Sequence, residues 1–364
     1  MKILAISCER GGWSGGAEQF TLLVKGLREK GHNLHTVCVS GSPLEERMRN
    51  EGFNVLALPM WNDVDLYSAL RIAHYCLQNN IEIIHAMHSR GHSVALLAEY
   101  LMRRIPLVVT RRVSFFIQDN LYTRFKYRNK RIDKFICVSE AVKKELINFK
   151  ISDEKINVIY SGVDTEKFRP KDKDSKLLEK LGIPLSKPIV GGIANFSKWK
   201  GQKIFIESAK IVKERKLNVH FLLAGAGNDG EPVRGWVEAN GLKDMFTLHG
   251  FVDHVPSFMS LIDVFVSPSV GAEGLSGTLR EALAMGLPVI ATDVGGNKEI
   301  VKHMESGVIV PPSVPEAIAD GIEFMLKNRE KARSMAETGR KFVIENLSVK
   351  KMVERTERIY LELV

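Results

Sequence analysis

The sequence predicts an α/β protein built from two doubly wound parallel sheets, and three observations carry that prediction. Short β-branched apolar runs alternate with stretches of helical periodicity along most of the chain, the pattern of repeated β-α-β units. The alternation is interrupted once, by the polar stretch RPKDKDSK from Arg169 to Lys176, and then restarts. At 364 residues the chain is long enough for two hydrophobic cores.

The first unit opens with the strand-like KILAIS, which runs into the loop CERGGWSGGAE. A helix follows with Ala17, Phe20, Val24 and Leu27 on one face; it ends at Gly31 and leads to the strand NLHTVCVS. Then come the strand NVLALP, a helix over about residues 67–78, the strand EIIHAM, a helix through SVALLAEYLM, the strands PLVVT and KFICVS, a helix from Glu140, and the strand KINVIYSG. One parallel sheet accommodates all of these strands, which places a first domain at residues 1–170. Past the predicted linker, PIVGGIAN, VHFLLAG, FTLHGF, VFVSPS, PVIATD and GVIVP read as strands. The helices between them run through FIESAKIVKER, FMSLI and EALAMG, so residues 171–348 form a second doubly wound domain. In the last helix, residues 349–364, Val349, Met352, Val353, Thr356, Ile359, Tyr360 and Leu363 share one face, which must pack on something.

Composition narrows the function. No stretch is apolar enough to span a bilayer, and MKILAIS reads as a first strand rather than a leader, so a cytoplasmic protein is expected. Cys8, Cys38, Cys76 and Cys137 lack metal-ligand spacing and sit in apolar surroundings, which predicts buried free thiols and a reducing compartment. His85, His88 and His92 have no matching cysteine or carboxylate cluster, so no metal site is expected. The net charge of +9 favours anionic partners, and no motif points to nucleic acid. Between residues 103 and 134 ten basic residues interleave with Phe115, Phe116, Tyr122, Phe125 and Tyr127. That composition suits an anionic membrane surface, an anionic acceptor groove, or a solvated basic helix with core-facing aromatics.

The chemistry concentrates in FVSPSVGAEGLSGTLREALAMGLPVIATDVGG, residues 265–296. A strand gives way to a glycine-containing loop and then to a helix start, where backbone N–H groups without intrahelical partners and the helix dipole stabilise an anion. A diphosphate fits there, on Gly277, Thr278 and Leu279. Glu281 has the two acceptor oxygens that a ribose diol needs, and Glu273 suits the hydroxyls of a transferred group. Two ordinary helix-terminus carboxylates explain the same letters.

The surrounding residues resemble the family 4 glycosyltransferases. Glu273 and Glu281 fit that family's E-x7-E, Ala284 to Gly296 fit A-x-G-x-P-V-I-A-T-D-x-G-G, and Glu299 follows. The resemblance implies a GT-B fold of two facing Rossmann-like domains, a terminal helix that crosses back to the first domain, retention of anomeric configuration, and no required cofactor or metal. Lys200, in ANFSKWKGQKIFIESA, resembles the family's lysine that pairs with the donor diphosphate, with Lys198 as a second candidate in place of the arginine many relatives carry. Gly15, Gly16 and Glu18 resemble the first-domain glycine loop, and Gly225, Gly250 and Val252 resemble segments around the nucleotide base. Many relatives carry a histidine after the strand equivalent to PLVVT, where this chain has Arg111 and Arg112. These two, Glu18 and His88 are the acceptor-side candidates, and arginine there suits an anionic partner better than base catalysis.

The resemblance therefore implies a retaining glycosyltransferase that moves a sugar from a nucleotide-diphosphate donor to a hydroxyl of a cell-envelope glycolipid or polysaccharide precursor. In that scheme Lys200 stabilises the leaving diphosphate and Glu273 the developing oxocarbenium charge. A sugar-nucleotide epimerase or hydrolase of the same fold, or a non-catalytic nucleotide-sugar-binding scaffold, keeps the same fold with a different outcome.

Overall fold

A computed structural model describes the chain from Met1 to Val364 except for residues 12, 13 and 272. Two of these fall in the predicted loop CERGGWSGGAE and one between Gly271 and Glu273, so those parts of the reading lie outside the described residues. Cα packing divides the chain into two compact units, Met1–Gly162 with Val349–Val364, and Val163–Ser348.

Among the described residues of the first unit, seven parallel strands form one sheet. In chain order they are β1 Lys2–Ile6, β2 Asn33–Val39, β3 Asn54–Leu58, β4 Ile83–Ala86, β5 Leu107–Arg111, β6 Ile132–Cys137 and β7 Ile156–Val158; across the sheet the order is β3-β2-β1-β4-β5-β6-β7. The second unit has a six-stranded parallel sheet of β8 Ile189–Ile193, β9 His220–Ala224, β10 Phe246–His249, β11 Val264–Ser267, β12 Val289–Thr292 and β13 Val308–Val310, ordered β10-β9-β8-β11-β12-β13. Helices cover both faces, so central strands such as β4, β5, β8 and β9 are buried along their whole length and read as continuous apolar runs rather than alternating ones. In each sheet the strand order reverses direction once, between β1 and β4 and between β8 and β11. Loops leaving the strands there diverge and open a crevice at the strands' carboxyl ends.

The predicted linker is a correction. Asp174 caps a helix over Ser175–Lys180 by accepting from Leu177 N–H, and Lys173 pairs with Asp263 at 2.6 Å, so residues 169–176 belong to the second unit. The division falls at Gly162/Val163, because Val163 N–H donates to Leu347 O and pairs with Ser348 in a bridge. Polarity marked an exposed helix start there, not a hinge. The sequence alternation also passes over the helix Pro43–Asn50, whose only buried residues are Leu44 and Met48, too few for a visible stripe.

The last helix, Val349–Leu361, packs on the first, Gly15–Glu29. The approach is close enough that a Cβ on Gly26 would lie 2.5 Å from Val353 Cγ2. Met352, Val353, Thr356, Ile359 and Tyr360 are buried, and Glu357 pairs with Lys30 and His32 at the rim. The Tyr360 hydroxyl lies 2.6 Å from His85 Nδ1, whose Nε2 is 2.6 Å from Thr110 Oγ1, so one buried imidazole joins the terminal helix to β4 and β5. Burial, with a smaller push from Arg112, lowers the His85 pKa to about 3. His92 is lowered to about 3 as well, first by burial and then by Lys126.

Both imidazoles are depressed relative to an unfolded histidine, so below about pH 6.5 the unfolded chain binds protons that the folded chain does not. Stability of the first unit should fall as pH drops from about 6.5 towards 3, by about 1.4 kcal/mol per pH unit for each histidine. Urea midpoints at pH 7 and pH 5 measure this. Tyr360→Ala, which also opens a cavity, should cost about 3–5 kcal/mol at pH 7.

Candidate active site

In the second unit the segments picked out from the sequence all leave the carboxyl ends of strands. The Lys200 loop follows β8 and the Glu273 loop follows β11, the two strands that flank the reversal, and Val270 N–H donates to Trp199 O at 2.8 Å to join them. Lys200 Nζ donates to Glu273 Oε1 at 2.5 Å, and Ser269 Oγ donates to the same oxygen at 2.8 Å. Ser269 is held in turn by Thr292, whose hydroxyl donates to Ser269 O at 2.6 Å.

Two glycines let these loops close. Gly201 has φ +71°, and a Cβ there would sit 1.9 Å from Pro268 O. Gly295 has φ +56°, and its Cβ would sit 1.8 Å from Glu273 O. No other residue type fits either place without moving the chain. Gly296 N–H adds a bond to Gly274 O, so the Gly295–Gly296 turn after β12 is the seat of the Glu273 loop.

The helix Gly277–Ala284 starts directly after that loop, with Ser276 as its N-cap and no side-chain hydrogen bond capping it. Ser276 and Thr278 line a small pocket with Lys200 and Ser269. Leu279 is buried and, unlike Thr278, does not line this pocket. Because the helix begins at Gly277, Glu281 stands in its second turn rather than at its mouth. Lys198 is exposed, with its ammonium 4.6 Å from the Trp199 ring centroid. Gly225, at φ +131°, donates to His249 O and Gly250 O, which brings two of the base-region segments together, and Val252 is buried beside them in sequence.

In the first unit a cavity of about 390 Å³ opens at the β1/β4 reversal, lined by Glu9, Ser14, Gly16, His88, Ser89, Arg111, Arg112 and Tyr127 among others. Gly15 and Gly16 open the first helix, capped by Ser14, with Glu18 in its first turn. A Cβ on Gly16 would meet Glu9 Oε1 at 2.2 Å, so Glu9, which the sequence reading passed over, rests its carboxylate against the helix start. His88 caps the helix Ser89–Glu99, and its pKa is lowered by burial and partly restored by Glu9. Arg111 is buried and spent internally: it donates to the Tyr127 hydroxyl at 2.7 Å and to Phe115 O at 2.6 Å. Of the two arginines, Arg112 is the more accessible, and it donates to Ser161 Oγ at 3.4 Å.

The basic stretch over residues 103–134 divides: Arg103, Arg104, Arg124, Arg128 and Lys130 are exposed, Arg112, Arg131 and Lys134 are half-buried, and Arg111 and Lys126 are buried. Lys126 is 4 % exposed and donates to Ser89 Oγ at 2.9 Å. Arg104 and Arg131 converge on buried Glu99, Arg124 pairs with Asp119, and Arg128 donates to Phe149 O. Apolar side chains face outward beside the exposed cations: Phe116 is 78 % and Leu121 84 % exposed, with Phe115 and Phe125 about half exposed.

All four cysteines are buried free thiols with pKa pushed up to about 12 by burial. Among the described residues no cluster of histidine, cysteine and carboxylate could hold a metal ion, and no helix is long and apolar enough to cross a membrane.

Comparison with known proteins agrees with this arrangement. Residues 13–167 match Glycosyltransferase Family 4 and residues 173–342 match Glycosyl transferases group 1. N-acetyl-alpha-D-glucosaminyl L-malate synthase of Bacillus anthracis is 27% identical over 94% of this chain and 93% of its own. The GDP-mannose-dependent alpha-(1-6)-phosphatidylinositol monomannoside mannosyltransferase of Mycobacterium tuberculosis is 30% identical over 50% of this chain and 49% of its own. The crystal structure of Anabaena Alr3699/HepE in complex with UDP superposes with a TM-score of 0.86 at 20% identity and covers the whole of both chains. The chain is a GT-B-fold glycosyltransferase related to the group 1 and family 4 enzymes.

Gly295→Ala should displace the Glu273 backbone. A shift of about 1 Å is enough for a loss of roughly a hundredfold in transfer, which steady-state assay set beside a thermal melt would detect.

Proposed function

We propose that the protein is a retaining transferase that takes a sugar from a nucleoside-diphosphate donor held by the second unit and passes it to a hydroxyl of a cell-envelope glycolipid or polysaccharide precursor. The observation that carries this reading is Lys200 paired with Glu273 beside a helix start that no side chain caps. A lysine and a set of helix-terminal amides are the groups that a departing diphosphate needs, and they cost no reorganisation as its charge develops. Gly277, Thr278 and Leu279 present those amides, with Lys198 as an outer cation. Glu281 takes the ribose diol, and Gly225, Gly250 and Val252 border the base. Glu273, released by Lys200 when the donor arrives, faces the transferred sugar and stabilises its oxocarbenium charge. A leaving-phosphate oxygen then accepts the acceptor proton, with no metal or other cofactor.

Glu18, His88, Arg111 and Arg112 bound the acceptor side. Arg111 acts there by holding Tyr127 and the Phe115 carbonyl in place, and Arg112 favours an anionic acceptor. Names among the relatives support both halves of this view, since one carries L-malate and another a phosphatidylinositol glycolipid. The exposed Phe116 and Leu121, with exposed Arg103 and Lys130 nearby in sequence, suit contact with an anionic lipid surface where such an acceptor resides. The protein works in the cytoplasm, at the inner face of the membrane.

Lys200→Ala and Glu281→Ala should each reduce transfer by about a hundredfold or more, read as product formation from a panel of sugar nucleotides with glycolipid and saccharide acceptors. Epimerised donor, or free sugar released as fast as any transfer, would replace this reading with an epimerase or hydrolase. Phe116→Ser with Leu121→Ser should weaken sedimentation with phosphatidylglycerol vesicles; unchanged binding would remove the membrane contact from the proposal.

A further inference from the structure

The second unit has a cavity that the transfer chemistry does not use. It holds about 430 Å³ and lies at the amino ends of β8, β11 and β12, whose carboxyl ends carry the Lys200, Glu273 and Gly295 loops. That is room for a small molecule. Val264, Pro288, Met325 and Leu326 supply apolar lining, and four cations line the same space: Lys173, Lys187, Arg329 and Arg333. Among the described residues Asp263 is the one carboxylate that lines it.

Asp263 is already engaged. Its Oδ2 accepts from Lys173 Nζ at 2.6 Å and from Ile189 N–H at 2.7 Å, so it fastens the start of β8 and balances Lys173 alone. The other three cations lack such a balance. Among the described residues Lys187 and Arg329 have no ion pair. Arg333 meets Glu337 at 3.3 Å, but both side chains are more than two-thirds exposed, and a pair so placed contributes little in water.

Local preferences make this arrangement costly. Arg329 and Arg333 stand four apart on one face of the helix Arg329–Asn346, and like charges at that spacing repel. Arg329 occupies the first turn, where the helix dipole disfavours a cation. Asn328, the N-cap, turns its amide back to Phe324 O at 2.9 Å, so no side chain caps that turn. Glu330 answers the dipole but does not line the cavity. Positive charge is thus gathered on one wall against three separate preferences, a local conflict that a bound anion resolves.

We propose that this cavity is a second anion site, which takes a small phosphorylated molecule: phosphate oxygens against Lys187, Arg329 and Arg333, and the carbon body against Pro288, Met325 and Leu326. Guanidinium groups match phosphate in a two-bond fork, and Lys187 adds a point charge. The site is independent of the donor reading, because the donor loops leave the opposite ends of the same strands. Its occupant meets Val264 at the start of β11 and Gly286 just after the helix Gly277–Ala284. Occupancy therefore braces, from behind, the strand and helix that carry Glu273 and Glu281.

The test titrates inorganic pyrophosphate into the full chain by calorimetry with UDP in excess, beside Lys187→Ala, Arg329→Glu and Lys200→Ala variants. One pyrophosphate should bind per chain, about tenfold or more weakly in Lys187→Ala and in Arg329→Glu, and as in the unaltered protein in Lys200→Ala. Melting separates a binding role from a structural one. A glutamate suits the helix start, so Arg329→Glu without ligand should melt about 1–3 °C above the unaltered protein. Pyrophosphate should then raise the melting temperature of the unaltered protein and leave that of Arg329→Glu where it was. No binding by the unaltered protein, or binding that neither Lys187→Ala nor Arg329→Glu weakens, overturns the proposal. Loss of binding in Lys200→Ala does the same by putting pyrophosphate in the donor site. A lowered melting temperature in Arg329→Glu also overturns it, since the arginine would then be a structural anchor.

Discussion

Glu273 is a carboxylate nine-tenths removed from water, and a buried charge survives only where it is paired and hydrogen-bonded. Its surroundings are arranged around that requirement. Lys200 and Ser269 share one oxygen, Thr292 fixes the Ser269 backbone, and the main chain of Glu273 lies against Gly295. These residues come from three strand ends, β8, β11 and β12, so the compensation of a single carboxylate ties the loops on both sides of the strand reversal into one surface.

The first unit uses the same geometry with different charges. Its reversal, between β1 and β4, also places a helix start and a carboxylate side by side, with Glu9 against Gly16. Arginines lie nearby, but Arg111 is committed to Tyr127 and Phe115, and Lys126 is drawn inside. Half of the basic side chains over residues 103–134, those of Arg103, Arg104, Arg124, Arg128 and Lys130, stay exposed, and Phe116 and Leu121 stand exposed in the same stretch.

The alternation of strands and helices was legible because parallel strands covered on both faces are continuous apolar runs, and because Glu273 and Glu281 stand in a long motif. Three features were not legible. The polarity of residues 169–176 resembled a linker, since a capped exposed helix start and a hinge draw on the same residue types. Basic residues at 103–134 carried no mark of which way they point; only contacts with Glu99, Asp119 and Phe149 decide that. Arg280 looked like an ordinary helix residue, because nothing in the letters tells a solvated arginine from one folded back over its own first turn.

Tyr360 on His85 has a consequence for the order in which the molecule can be made. The first unit is discontinuous: its sheet is translated early, but the helix that covers Phe20, Val24 and Leu27 is translated after the whole of Val163–Ser348. On the ribosome the second unit has all of its strands while the first still exposes the groove awaiting Met352, Val353 and Tyr360. Closure of the amino-terminal half therefore waits on the carboxyl-terminal residues, and a nascent chain stalled before Tyr360 would present that groove to chaperones.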